Sequence, residues 1–291
     1  MRFPSILMPE LPEVEIIVRQ LREKLSGQIL AQCWSRPDAV LTSPESEIQK
    51  LLLGQSIQSV VRKGKYLSLI FPEDRRLWFH LGMTGQLLLK SQEDSPDKHV
   101  HLILSFGAQQ GTGCSDLSPV VEAAKVLWFR DIRKFGEVFV TSSREIPKNL
   151  QRIAPDPFEM TSGDFVKRFK TRSGKIKSLL LDQHLIAGLG NIYANESLYR
   201  AKINPRKSAS QLSRLTLERL FDEIQDCLKE AILGGGSSID DYQQTDGSRG
   251  SFQKKHQVYG RFKKSCLRCG QLIRKIILLG RSTFYCSRCQ R

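Results

Sequence analysis

The chain has 291 residues, 40% of them hydrophobic, and sets 45 Lys and Arg against 30 Asp and Glu for a formal net charge of +15. That length suffices for two compact domains at roughly 150 residues each, and the apolar content excludes wholesale disorder. No apolar run approaches the ~20 residues of a membrane-spanning helix, and Met1 to Leu7 lacks the apolar core of a secretory signal, so a soluble, intracellular chain with no membrane partner is expected.

From Pro12 to Leu25 the apolar residues Val14, Ile17, Val18, Leu21 and Leu25 keep a helical period, which Gly27 closes. Between about Ile29 and Val140 the pattern changes to short runs parted by turn residues: Ser56 to Arg62, Tyr66 to Phe71, Leu77 to Leu81, His101 to Phe106 and Glu137 to Thr141. These predict a β-rich sandwich or barrel. Gly107 to Ala124 reads as a long polar hairpin insertion, and the two prolines in Ile153 to Phe158 as a hinge. Helices are then predicted over Gly163 to Thr171, Lys177 to Asp182, Asn191 to Ala201 and Leu215 to Leu233, ended by Gly234-Gly-Gly-Ser-Ser. Ser237 to Tyr259 reads as a mobile polar loop, and the last 35 or so residues as a small hairpin around cysteines. The fold class expected is α+β.

Charge is unevenly spread. Ser248 to Arg291 holds 12 Lys or Arg and no Asp or Glu, which favours a polyanionic partner such as nucleic acid over an idle basic surface. The same segment contains Cys266-x2-Cys269 and, sixteen residues on, Cys286-x2-Cys289. Four thiolates in two tight turns suit one tetrahedral Zn2+, and four protein ligands leave no open position, so the ion is structural. So short and charged a segment buries little apolar surface, and metal binding would supply its folding free energy.

Met8-Pro9-Glu10-Leu11-Pro12-Glu13-Val14-Glu15 opens the first helix. Prolines and glutamates suit a helix start on their own account. A second reading stands beside it. If translation starts at Met8 and that residue is removed, Pro9 becomes a free secondary amine, and a terminal amine with pKa of roughly 7.7–8.0 is a ready nucleophile for Schiff-base chemistry.

PELPEVE (Pro9 to Glu15), RKGKYL (Arg62 to Leu67), HLGMTG (His80 to Gly85), DIRKFG (Asp131 to Gly136), GLGNIYANE (Gly188 to Glu196), QVYGR (Gln257 to Arg261) and the cysteine finger occur in this order. With them the sequence closely resembles the formamidopyrimidine-DNA glycosylase family from Pro9 to Cys289, with the first seven residues and roughly Gly107 to Ala124 outside the likeness. The resemblance implies an N-terminal β-sandwich with a catalytic helix over 9–150, a helix-two-turn-helix domain over 151–247 and a zinc finger over 248–291. It implies a monomeric base-excision-repair enzyme on damaged double-stranded DNA. That enzyme releases oxidised purines through an iminium on Pro9, then cuts the backbone by β,δ-elimination as a lyase at abasic sites.

By the same match Glu10 is the acid or base at the sugar ring, Lys65 the proton donor of β-elimination and Arg281 the residue of δ-elimination and phosphate binding. Guanidinium is a poor acid near neutral pH, which favours the phosphate role. Met83, Arg133 and Phe135 match the side chains that fill the gap left by an extruded base; the family has proline at Ile132 and often arginine at Lys134. Asn191, at a helix start after Gly188-Leu-Gly190, matches a phosphate ligand, and His99, Arg172 and Lys177 fall at DNA-contact positions. Tyr242 to Phe252 corresponds to a loop over the lesion. Two other readings compete: an oxidised-pyrimidine glycosylase of the endonuclease VIII type, and a non-catalytic zinc-finger protein that binds damaged DNA. The residues ahead of Met8 favour the latter, because an amide-bonded Pro9 has no nucleophilic nitrogen; Met8 is therefore the expected start.

Overall fold

The computed structural model describes residues 8–37, 39, 41–107, 123–142, 147–239 and 242–291. Met1 to Leu7, which precede the expected start at Met8, and nearly all of the insertion read at Gly107 to Ala124 lie outside these residues. The chain divides into two compact units.

One unit comprises residues 13–148 and 240–249. Helix α1 (Leu11–Leu25) leads into β1 (Ile29–Ser35), α2 (Glu45–Leu52), β2 (Ser59–Lys63), β3 (Tyr66–Ile70), β4 (Arg76–His80), β5 (Gly85–Lys90), β6 (Val100–Gly107), β7 (Ala123–Asp131) and β8 (Glu137–Thr141). Two four-stranded antiparallel sheets form, ordered β1-β6-β7-β5 and β2-β3-β4-β8. Alternation sets their inner faces: Leu67 and Leu69 of β3, Leu77 and Phe79 of β4, and Leu127 and Phe129 of β7 are all buried in one core. The helical stripe Val14, Ile17, Val18, Leu21 and Leu25 joins that core, each such side chain contributing roughly 1.5–3 kcal/mol on burial. The architecture is the sandwich option of the sequence reading.

Residues 242–249 have fixed partners within this unit, where a mobile loop was expected. Tyr242 is buried in the sandwich core and its hydroxyl donates to the Glu13 carbonyl. The Thr245 carbonyl accepts from Leu89 N at 2.8 Å on the free edge of β5, and Gln20 Oε1 accepts from both the amide and the hydroxyl of Thr245. Polarity signalled a loop; it did not reveal that an unpaired sheet edge could take up the backbone bonds.

The other unit comprises residues up to Pro12, then 149–239 and 250–291. It contains α3 (Lys148–Gln151) only from Asn149 onward, then α4 (Ser162–Lys170), α5 (Ile176–Leu180), α6 (Asn191–Arg200) and α7 (Arg214–Leu233), followed by the hairpin β9 (Arg274–Leu278) and β10 (Arg281–Tyr285). Thr161 and Asp164 cap α4 reciprocally, and Ser213 caps α7. α6 is buried along eight consecutive residues, Ile192 to Tyr199. A helix with no solvent face cannot be amphipathic, so its polar residues must find internal partners.

Candidate active site

The polar residues of α6 do find such partners, and in doing so they assemble a site. Gly188 lies in the left-handed region at φ +84°, which glycine adopts without steric cost. Its carbonyl accepts from Leu11 N at 3.0 Å, and a side chain at Gly188 or Gly190 would collide with Leu11 or with the Glu10 carboxyl. The Gly-Leu-Gly turn is therefore the seat of the Pro9-Glu10-Leu11 segment. Pro9 is buried there. Glu10, 1% exposed, accepts from the backbone N–H of Gly190 (2.8 Å), Ile192 (2.8 Å) and Tyr193 (3.3 Å). These are the orphan donors at the positive end of α6, and they favour the ionised carboxylate.

Lys177 is fully buried beside this carboxylate. Its ammonium donates to Asn191 Oδ1 (2.7 Å), Thr283 Oγ1 (2.6 Å) and the Ser282 carbonyl (3.1 Å). Burial pushes its pKa down to about 7, with nearby Glu10 opposing the fall and Arg281 adding to it. Three acceptors match three ammonium protons. Because Asn191 Oδ1 faces Lys177, the amide nitrogen of Asn191 is turned the other way. Arg281 is exposed at the start of β10, next to the Ser282 carbonyl that Lys177 holds. The structure thus brings Pro9, Glu10, Lys177, Asn191 and Arg281 into one neighbourhood. Arg172 is exposed just beyond α4, its carbonyl accepting from Ser210 N.

α6 also fastens two segments further along the chain. Fully buried Glu196 accepts from the N–H groups of Gln257 (2.9 Å), Val258 (3.0 Å) and Tyr259 (2.8 Å), and Asn195 Oδ1 accepts from Phe284 N at 2.8 Å. QVYGR and the finger hairpin are in this way both referenced to the helix that holds Glu10.

In the sandwich unit, Lys65 follows Gly64 in the two-residue turn between β2 and β3. It approaches His80, whose pKa falls to about 4 through burial first and the Lys65 charge second. Neutral His80 lies 4.6 Å from the Tyr66 ring across the β3–β4 ladder. Met83, Arg133 and Phe135 stand on two neighbouring loops. Buried Asp131 joins those loops: its carboxylate accepts from the Thr84 hydroxyl, from Arg133 N (3.2 Å) and from Gly136 N (2.7 Å). Gly82 approaches the Phe135 backbone so tightly that a Cβ would clash. Phe135 is 53% exposed, with the Arg133 guanidinium 5.4 Å from its ring centre. His99 joins the same framework, its carbonyl accepting from Asp131 N at 2.9 Å.

The sulfur atoms of Cys266, Cys269, Cys286 and Cys289 lie within 4.8 Å of one another, with Cys266–Cys289 at 3.9 Å and Cys269–Cys286 at 3.5 Å. Tetrahedral Zn–S bonds of about 2.3 Å put sulfurs roughly 3.8 Å apart, so the cluster fits one such ion. The Tyr199 hydroxyl lies 3.1 Å from Cys266 Sγ and Gln290 Oε1 accepts from Cys286 N, fastening the finger turns to α6 and to each other.

Three family profiles match the chain in succession: the formamidopyrimidine-DNA glycosylase N-terminal domain over residues 8–138, its H2TH domain over 153–243, and the zinc finger found in FPG and IleRS over 263–291. A formamidopyrimidine-DNA glycosylase of Solibacter usitatus is 39% identical over 285 residues, 98% of this chain and 100% of that one. The chain belongs to the formamidopyrimidine-DNA glycosylase family. A relative of the same name from Desulfitobacterium hafniense is 36% identical over 97% of this chain and 100% of its own length. Among solved structures, the complex of Lactococcus lactis FPG (MutM) with a FAPY-dG-containing DNA matches with TM-score 0.85 and 36% identity, covering 97% of this chain and 100% of that one. MutM bound to DNA containing carbocyclic 8-oxo-G matches with TM-score 0.85 and 35% identity, with the same coverage. No helix among the described residues is long and apolar enough to cross a membrane.

Within the family motifs, the residues that sequence reasoning passed over are half-buried His80 and the buried polar residues Thr84, Asp131, Asn195 and Glu196. Each stands inside a quoted segment. Asn191 and Asn195 are four apart and Glu196 adjoins them, which marks polar side chains on an otherwise apolar helix. That is the signal a buried network leaves in sequence.

Proposed function

We propose that this base-excision-repair glycosylase releases oxidised purines, 8-oxoguanine and formamidopyrimidines, through attack of Pro9 on the deoxyribose C1′. The observation that carries the reading is the pinning of Glu10, and with it Pro9, onto the N-terminus of α6 beside Asn191 and Arg281. A terminal amine at Pro9 displaces the base and forms an iminium; its reactivity requires a mature chain that begins with that residue. Glu10, bonded by three backbone N–H donors, is the acid or base at the sugar ring. Lys65 is the proton donor of β-elimination, with a neutral rather than cationic His80 at its side. Arg281 and Asn191 hold the flanking phosphates through a guanidinium and an outward amide. Lys177 contributes to DNA binding through Asn191, because its own protons are committed within the protein. Arg172 and His99 supply further backbone contacts.

Met83, Arg133 and Phe135 fill the space from which the base leaves. The exposure of Arg133 and Phe135, and the half-buried position of Met83, on two stitched loops support this role. One structural Zn2+, held by Cys266, Cys269, Cys286 and Cys289, cross-links the finger, and four sulfurs leave it no catalytic position. The functional domains are assigned as 9–150, 151–247 and 248–291, although residues 9–12 group with the helical unit and residues 240–249 with the sandwich unit, and the enzyme acts as a monomer.

Borohydride reduction on a duplex bearing 8-oxoguanine is the test. A covalent protein–DNA adduct is expected from the natively processed chain, and Pro9→Gly is expected to weaken it strongly. Intact mass should show Pro9 as the first residue. A processed chain that starts at Pro9 yet yields no adduct on 8-oxoguanine or on thymine glycol would leave only a DNA-binding role, and trapping on thymine glycol alone would place the chain with the endonuclease VIII type.

A further inference from the structure

The finger hairpin turns through two residues, Leu279 and Gly280, between the paired Leu278 and Arg281. Both take the left-handed region, with φ +46° and +69°, the arrangement of a type I′ turn. Glycine is suited to the second position. The first calls for Asn, Asp or Gly, since a leucine Cβ there crowds the following carbonyl. Leu279 is also 76% exposed, so it makes little use of protein packing. A costly conformation that presents an apolar side chain to water is not a folding device, and such outliers gather at functional positions. The surroundings indicate the ligand. Arg281 adjoins the turn and is exposed, while Lys275 and Arg274 pair with Phe284 and Tyr285 at the other end of the hairpin, so the tip is an apolar point beside one cation on a basic hairpin. Duplex DNA has the complementary pattern, apolar deoxyribose faces and base edges between rows of phosphate.

We propose that Leu279 is an apolar DNA contact that seats against the sugar and base edges next to the phosphate held by Arg281. This rests on the DNA reading above and deepens it by assigning a binding residue at the finger tip.

The experiment measures fluorescence anisotropy of the full, zinc-loaded protein with a duplex bearing an uncleavable tetrahydrofuran abasic analogue. Wild type, Leu279→Asn, Leu279→Gly and Leu279→Met are compared over a series of salt concentrations, alongside thermal melts. Asn and Gly relieve the backbone strain, so both variants should melt at or above wild type. Both should nevertheless bind about five- to tenfold more weakly, the loss of one partly buried leucine contact. Leu279→Met should bind close to wild type. The slope of log affinity against log salt should be the same for all four, because an apolar contact releases no counterions, whereas Arg281→Ala should flatten it by about one. Equal affinity for Leu279→Asn and wild type would overturn the assignment, as would a loss of affinity accompanied by a flatter salt slope. Failure of wild type to bind this duplex would overturn the DNA reading itself, and the assignment with it.

Discussion

Glu10 is the residue whose surroundings most constrain the chemistry. Three N–H donors and a helix N-terminus surround a carboxylate that is 1% exposed, so Glu10→Gln, which turns one acceptor into a donor facing those N–H groups, should cut base release by about 10²–10⁴-fold. A single-turnover assay on 8-oxoguanine duplex reads this directly, and near-wild-type rates would remove Glu10 from the reaction. Gly190→Ala tests the same contact from the other side. Its Cβ collides with the Glu10 carboxyl, so base release should fall while the far-ultraviolet circular dichroism stays unchanged. Lys177 carries a pH signature. Its folded pKa of about 7 lies below the ordinary value of 10.5, so between these two values the unfolded chain binds more protons than the folded one. Stability therefore gains from Lys177 as pH rises from about 7 to 10.5, and its contribution is least favourable below 7. Melts of wild type and Lys177→Met should accordingly diverge in favour of wild type as pH rises through that window; parallel curves would contradict the burial.

At the scale of elements, the Asp131 carboxylate ties the loop carrying Met83 to the loop carrying Arg133 and Phe135 through Thr84, Arg133 N and Gly136 N. An asparagine there keeps the shape but replaces an acceptor by a donor. Asp131→Asn should destabilise the protein by about 1–3 kcal/mol, the cost of buried polar groups left unmatched. It should also weaken discrimination between lesion and intact duplex, since Met83, Arg133 and Phe135, proposed to fill the gap left by the base, lose their fixed aim. Denaturant titration and competitive binding check the two parts. Most helices and most strands were legible because their apolar residues repeat with periods of 3.6 or 2. β1, α2, α3, β5 and β7 were not singled out. β7 mixes Trp128 with Leu127 and Phe129, so that both faces are apolar and alternation disappears.

At the scale of the molecule, two compact units each have a core of their own. Removal of zinc should separate their behaviour. A chelator should unfold the finger and abolish binding to damaged duplex, because metal binding supplies folding free energy to a segment with little core, while the sandwich should still melt cooperatively. Calorimetry with and without chelator reads both. A single lost transition would show that the sandwich depends on the metal.

The sequence by itself determined the residue types on which the proposed chemistry draws, an imino acid at the head of a helix, four thiols at metal spacing and a basic C-terminal segment, and the order of its motifs matched one family. Periodicity and composition are local properties, and they can be read without knowing what the chain folds against. Only the tertiary structure decided what each polar side chain faces: Lys177 turned inward onto three acceptors, Glu10 set on the amides of a helix 180 residues away, Asp131 joining two loops. Those pairings arise because a buried donor or acceptor must be matched wherever the fold places it, and no spacing along the chain encodes that match.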